Sequence, residues 1–398
     1  MNLKELFNKT IFLIGAGASM DADCLSSSGM LKGLKEATSI LDKPDENGNY
    51  SKYKDYQPYF KEIYDFIVAS LNYQFSMKDS EYALHQNTNV EDFVMVLKQI
   101  IDREYIVPYP LVGNWNDKIM KWELINSDNI FTEFLEFIVG LLKNEWTRVN
   151  QRKAKILLSP LRELLISSEA FKMKFFSLNY DLLLEETFGS TTENIIETGF
   201  TSKNIASEKI RVWNEDVFSD NNSKAKLHLY KLHGSINWEY DTDYELVKEK
   251  STFQDGKEPL IIFGSANKML SFDPFLFFLS EFRRNLSYSS LIIVIGYSFH
   301  DKYINNLLIQ QLQQSTTRRM LIVDPNPMSK DEQEFVKKLE TIQTIRTVND
   351  LINFRKANPE KITIIKKTAK RFFQDYFSQN AKELKQLLKE SSKEDIIF

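Results

Sequence analysis

Six short apolar runs constrain the fold of this chain more than any other feature, at residues 10–14, 172–178, 226–232, 259–263, 291–295 and 320–323. Periodicity alone does not separate a buried strand from a buried helical segment, but shortness and the Ile, Val and Phe content favour strands. Strands apolar on both faces belong to a parallel sheet covered on each side by helices. Several runs end in a small or polar residue, which is where such a sheet places its ligands. The expected fold is α/β, a Rossmann-like parallel sheet with helices on both faces.

Between about residues 50 and 170 the pattern changes. Tyr56, Tyr59, Phe60, Ile63, Phe66 and Ile67 recur at helical spacing, as do Phe131, Phe134, Leu135, Ile138 and Leu142. Thr88-Asn89-Val90-Glu91 reads as a capping box opening a helix over 93–101, and Pro108, Pro110 and Gly113 break the pattern before the next helix. Three parts follow: residues 1–49 with 170–330 as the α/β domain, 50–169 as a helical insertion, and 331–398 as a mainly helical C-terminal segment packed on the core. That last part should hold a short strand at 362–365 and an amphipathic helix after Gln379. A hydrophobic content of 42% over 398 residues is enough to give parts of this size their own cores.

Lys and Arg number 51 against 55 Asp and Glu, a net charge of −4 that argues against broad nucleic-acid or anionic-membrane binding. Cys24 is the only cysteine, so one chain can form neither an internal disulfide nor a cysteine-based zinc site, and no metal is expected. The first apolar run is short, is followed by Gly15 and Gly17 and then by Asp21 and Asp23, and so fails as a signal peptide. No stretch reaches the roughly 18 apolar residues of a membrane helix. A soluble cytoplasmic protein is expected.

The ends of the runs carry the chemistry. Gly15-Ala16-Gly17-Ala18-Ser19 follows the first, and its small residues would let backbone amides approach a pyrophosphate at the start of a helix. Met20 stands where the dinucleotide fingerprint has its third glycine, and a plain tight turn is the alternative. Asn179-Tyr180-Asp181 follows the second run; capping of the next helix would explain one of its polar residues. His233-Gly234 ends the third and offers a group that exchanges protons near neutral pH, although a lone histidine is often structural. Gly264-Ser265 and Gly296-Tyr297-Ser298 put hydroxyls behind glycines, with Asp301 just beyond; ordinary turn chemistry explains either. Asp324 and Asn326 close the sixth run with polar groups suited to ribose hydroxyls or an adenine edge.

Taken in order, these motifs resemble sirtuin-type NAD-binding domains, over roughly residues 8–30 and 170–330. Sirtuins carry a GAGxS turn, an asparagine and aspartate two apart, His-Gly, a phenylalanine–glycine turn and a late Gly-x-Ser. The counterparts here are Gly15 to Ser19, Asn179 and Asp181, His233-Gly234, Phe263-Gly264-Ser265 and Gly296-Tyr297-Ser298. Two departures stand out. The four-cysteine zinc module of deacylase sirtuins is missing between Gly234 and Phe263, and Leu25-Ser26-Ser27-Ser28-Gly29-Met30 replaces the stretch that follows GAGxS in them. In these departures and in the helical insertion the chain is similar to the sirtuin-like domains of bacterial antiphage systems.

That resemblance implies an NAD glycohydrolase releasing nicotinamide and ADP-ribose, an abortive-infection effector activated through assembly or a partner. A protein deacylase, an ADP-ribosyltransferase and a non-catalytic NAD or ADP-ribose sensor are the alternatives. It implies that Asn179 holds the nicotinamide ribose and a water, that Asp181 binds the carboxamide or supports developing charge, and that His233 is a base or a ribose partner. Gly15, Ala16, Gly17, Ala18 and Ser19 would take the pyrophosphate. Gly264, Ser265, Gly296, Tyr297 and Ser298 would take the phosphate and adenosine ribose, with Asp324, Asn326, Asp21 and Asp301 as further candidates. A homo-oligomer and a HerA-like ATPase are the implied partners.

Overall fold

The computed structural model describes residues 2–39, 51–78, 88–102, 115–124, 130–167, 171–189, 195–205, 208–219, 224–243, 245–250, 258–263, 272–325 and 361–392. Its centre is a seven-stranded sheet. The strands are β1 (Thr10–Ile14), β2 (Met173–Ser177), β3 (Ile196–Glu197), β6 (Leu227–Lys231), β9 (Leu291–Ile295), β10 (Arg319–Val323) and β11 (Ile362–Ile365), in the order β11-β10-β9-β1-β2-β6-β3. Every pairing is parallel. Register places Ile14 beside Ser177 and Ile295, and Ser177 beside Lys231, so the carboxyl ends of β9, β1, β2 and β6 lie level along one edge.

Alternation along the strands divides two cores. Phe12, Phe175, Leu229, Ile293 and Leu321 face α1 (Leu3–Asn8), α7 (Gln151–Ile166), α8 (Leu183–Phe188) and α11 (Ala369–Ser392). Ile11, Leu13, Phe176, Tyr230, Ile292 and Val294 face α9 (Phe275–Tyr288) and α10 (Lys302–Gln313). A strand buried on both faces has no polar side to show water, which is why β1 and β9 read as continuous apolar runs.

A third core belongs to the helices α2 (Ser27–Ser39), α3 (Gln57–Lys78), α4 (Val90–Ile101), α5 (Trp115–Glu123) and α6 (Ile130–Leu141). Stacked rings such as Phe60 on Phe134, centroids 4.5 Å apart, fill it. Tyr180, Ile236, Ile261 and Phe263 pack into the same core, so the helical layer sits over the loops that leave β2 and β6.

The structure corrects three expectations and adds a sheet. Residues 259–263 form no strand: Ile261 makes a single bridge to Gly234, Ile262 N donates to His233 O at 2.9 Å, and the segment is a strap across the His-Gly turn. Pro259 offers no N–H, and the strap's side chains divide between two cores, Ile261 and Phe263 in one and Ile262 in the other. Helix α4 starts at Val90, capped by Asn89, whose Oδ1 accepts from Asp92 N at 3.0 Å. The C-terminal helix begins at Ala369, because Phe372, Phe373 and Phe377 pack into the core ahead of Gln379. Finally, β4 (Phe200–Ile205), β5 (Glu208–Trp213), β8 (Leu246–Glu249) and β7 (Trp238–Asp241) form an antiparallel sheet that the sequence reading did not foresee. The strand expected at Ile362–Ile365 is β11.

Among the described residues no helix is long and apolar enough to cross a membrane.

Candidate active site at the carboxyl edge

Four loops meet where β9, β1, β2 and β6 end. After β1 the chain makes two 3-10 turns, Ala16–Ala18 and Met20–Ala22, and α2 does not begin until Ser27. The amides of Gly15, Gly17, Ala18 and Ser19 donate to Ile295 O, Gly296 O, Gly15 O and Ala16 O at 2.8–3.1 Å. Two parts of the sequence reading are thereby corrected: these four amides are committed within the protein, and no long helix aims its N-terminus at this turn. The glycines are required for another reason. A Cβ on Gly15 would meet Gly296 O at 2.7 Å, one on Gly17 would meet Gly296 Cα at 2.8 Å, and Gly296 itself has φ +62°. The loops after β1 and β9 therefore pack backbone on backbone, and only glycine fits.

The loop after β2 is tied to this turn. Asn179 is buried; its Nδ2 donates to Ser19 Oγ at 3.0 Å and its backbone N donates to Ser177 Oγ at 3.1 Å. Its Oδ1 is buried and accepts from no protein group. Asn179 therefore does not cap a helix. Asp181 does serve the start of α8: its Oδ1 accepts from Leu183 N at 3.0 Å. Tyr180 donates from its hydroxyl to Ile262 O at 2.7 Å, and burial pushes its phenol well above the usual range.

Lys231, the last residue of β6, is a site residue the sequence reading missed. Its buried ammonium donates to the carbonyls of Tyr180 and Asp181 and pairs with Glu185 Oε1 at 2.9 Å. Burial raises the Glu185 carboxyl above its ordinary range, against the lowering effect of Lys231. A lysine at the end of an otherwise buried run was the available signal, since lysine is almost never fully buried without a partner.

His233 is buried and its Nε2 lies 3.0 Å from Asp301 Oδ2. Asp301 is the N-cap of α10; its Oδ1 accepts from Tyr303 N at 2.9 Å and Ile304 N at 3.2 Å. The Tyr297 hydroxyl contacts Asp301 N, Asp301 O and Asn305 Oδ1 at 2.9–3.1 Å, and Asn305 Nδ2 donates to Phe299 O at 2.7 Å. This bracing holds Phe299 at φ +59°, unfavourable for a bulky residue. Tyr297 is thus turned into the protein, whereas Ser298 is exposed on the same loop.

The remaining candidates fall elsewhere. Asp21 accepts from Lys370 N at 2.9 Å, at the start of α11. Asp324 follows β10, two strands away from β1, and its N donates to Ile365 O at 3.1 Å. Gly264, Ser265 and Asn326 lie outside the described residues.

The fold and the site together define a doubly wound α/β protein with an amide, a carboxylate and an imidazole gathered at the sheet's carboxyl edge. Residues 173–345 match the family model of a SIR2-like domain, so the chain carries a sirtuin-like domain over that stretch. The match includes Asn179, His233 and Asp301, while the glycine turn after β1 precedes it. Solved structures similar to this chain include a triple mutant of Sir2 homologues in complex with 2'-O-acetyl ADP-ribose. It is 12% identical, with 98% of each chain covered and a TM-score of 0.40. A mutant Sir2 homologue in complex with ADP-ribose is also 12% identical, over 89% of this chain and 98% of the other, with a TM-score of 0.35. Both scores lie below the level at which a likeness of fold is informative. No curated protein matches the chain.

Proposed function

We propose that this chain is an NAD glycohydrolase that splits NAD into nicotinamide and ADP-ribose. The observation that carries this reading is Asn179 Oδ1, a buried acceptor without a protein partner, on the loop beside His233 in the sirtuin-like domain. A buried polar atom left unpaired costs about 1–3 kcal/mol, which a ribose hydroxyl or an attacking water would recover on binding. The fit to a dinucleotide rests on this acceptor and on Ser19 and Ser298, the amides of Gly15, Gly17, Ala18 and Ser19 being already committed within the protein.

The bond that breaks joins the pyridinium nitrogen to C1 of the ribose, and its electron pair leaves with nicotinamide, which becomes neutral. A water oxygen bonds to the oxocarbenium-like C1, and its proton passes to His233 and on to solvent. Asn179 would orient the sugar and the water. Asp181, on the same loop, would stabilise the developing positive charge.

The resemblance to antiphage sirtuin-like domains extends the proposal to an abortive-infection effector acting in the cytoplasm. Such an enzyme must stay silent until triggered, so activation by self-assembly or by a separately encoded HerA-like ATPase belongs to the same reading. Size-exclusion chromatography alone and with that ATPase tests it, and a monomer under both conditions counts against it.

The direct test incubates the purified protein with NAD, alone and with the candidate ATPase, and quantifies products, including at low ionic strength. Equal amounts of nicotinamide and ADP-ribose without acyl peptide are expected, and none from His233→Ala. Consumption of NAD only with an acyl-lysine peptide would make it a deacylase, and ADP-ribose attached to protein a transferase. Tight binding without turnover would make it a sensor.

A further inference from the structure

We infer that Asp301 is the positioning residue for His233, and that it fixes Nδ1 as the ring nitrogen that accepts the proton. The inference rests on the hydrolase reading for its chemistry, but its geometry stands apart from that reading. Asp301 sits at the N-terminus of the 12-residue helix α10, with two backbone N–H groups donating to its Oδ1. That environment favours a carboxylate, which accepts at both oxygens and donates at neither. The His233 nitrogen 3.0 Å from Oδ2 must therefore carry the hydrogen. In a neutral imidazole only one nitrogen is protonated, so the Nε2–H tautomer leaves the lone pair on Nδ1.

The carboxylate cannot easily swing away. Its backbone N and O both contact the Tyr297 hydroxyl, which is braced in turn by Asn305, and Asp301 is buried. Gly234, with φ +80°, and the bond from Ile262 N to His233 O fix the backbone on the histidine side. The ring is thus clamped at Nε2 from the β9 loop and at its carbonyl from the 258–263 strap. A water on the Nδ1 side would give up its proton to that nitrogen as its oxygen bonds to C1.

Asp301→Asn is the discriminating variant. Asparagine caps a helix as well as aspartate, so its Oδ1 keeps the bonds from Tyr303 and Ile304. Its NH2 then donates to Nε2 and reverses the tautomer. The chain has four histidines, so 15N-histidine labelling with long-range 15N–1H spectra resolves them, and the His233 signals are assigned by their loss in His233→Gln. In the unliganded wild type, Nε2 is expected as the protonated nitrogen and Nδ1 as the bare one, exchanged in Asp301→Asn with the thermal midpoint nearly unchanged. NAD turnover in Asp301→Asn should fall at least about a hundredfold in kcat, the scale of general-base catalysis, with KM little altered. A wild-type His233 protonated at Nδ1, or a tautomer indifferent to Asp301→Asn, would overturn the inference. Absence of NAD turnover in the wild type, alone and with the candidate ATPase, would end the hydrolase reading and leave the tautomer result intact.

Discussion

Asn179, after β2, and Gly296, after β9, flank the end of β1 and are expected to fail in opposite ways. The Asn179 carbonyl oxygen is buried without a protein partner, so the folded chain gains little from it. Asn179→Ala removes that oxygen along with one bond to Ser19, two contributions of about 1 kcal/mol each and of opposite sign. The expected outcome is a urea midpoint within about 1 kcal/mol of wild type and NAD hydrolysis reduced at least about a hundredfold. Instability without loss of turnover would make Asn179 a structural residue. Gly296→Ala should do the reverse. Its Cβ would lie 2.2 Å from Ala18 N and 2.4 Å from Gly17 C at a positive φ, and backbone cannot move aside as a side chain can. A loss of at least about 2 kcal/mol is expected in equilibrium unfolding.

At the scale of elements, β6 and α8 are joined through one buried ion pair, and its chemistry predicts a pH dependence. Burial raises the folded-state pKa of Glu185 above its unfolded value. A group shifted in this direction binds its proton more readily when folded. It contributes stability that is fully present below the unfolded value, about pH 4.3, and lost as pH rises through the folded one. Glu185→Gln cannot ionise but still accepts from Lys231. Its stability, measured by urea unfolding from pH 4 to 8, should fall less steeply with rising pH than that of the wild type. An identical slope in the two proteins would mean that Glu185 titrates normally.

The same elements show what was legible in the sequence. β1, β9 and β10 announced themselves because strands buried on both faces admit almost nothing but apolar residues, and the polar residues after β2 and β6, Asn179 and His233, marked the site's edge. The antiparallel sheet was hidden because its strands are half exposed: in β5 Val212 is buried while Lys209 and Arg211 are exposed. Segment 259–263 misled because an apolar strap and an apolar strand have the same composition. The partnership of His233 with Asp301 was out of reach, since 68 residues separate them and only the β6–β9 arrangement brings them together.

For the whole molecule, the C-terminal helix closes one face of the sheet and also reaches the turn after β1. Phe377 packs against Phe12 on β1, with ring centroids 5.8 Å apart, and Phe372 and Phe373 complete the cluster. Phe377→Ala should therefore cost about 3–5 kcal/mol in the unfolding of the sheet, because the cavity opens in the core shared by sheet and helix. Asp21 is the polar counterpart of that contact, joining Lys370 N to the 3-10 turn beyond Ser19. That turn also carries its own bonds, from Ala22 N and Cys24 N to Ser19 O, which keep Ser19 in place when the Asp21 carboxylate is removed. Asp21→Ala should accordingly lose about 0.5–2 kcal/mol, the range for a helix cap, with KM for NAD unchanged. A raised KM at wild-type stability would return Asp21 to the nucleotide site and would mean that α11 docks without its help.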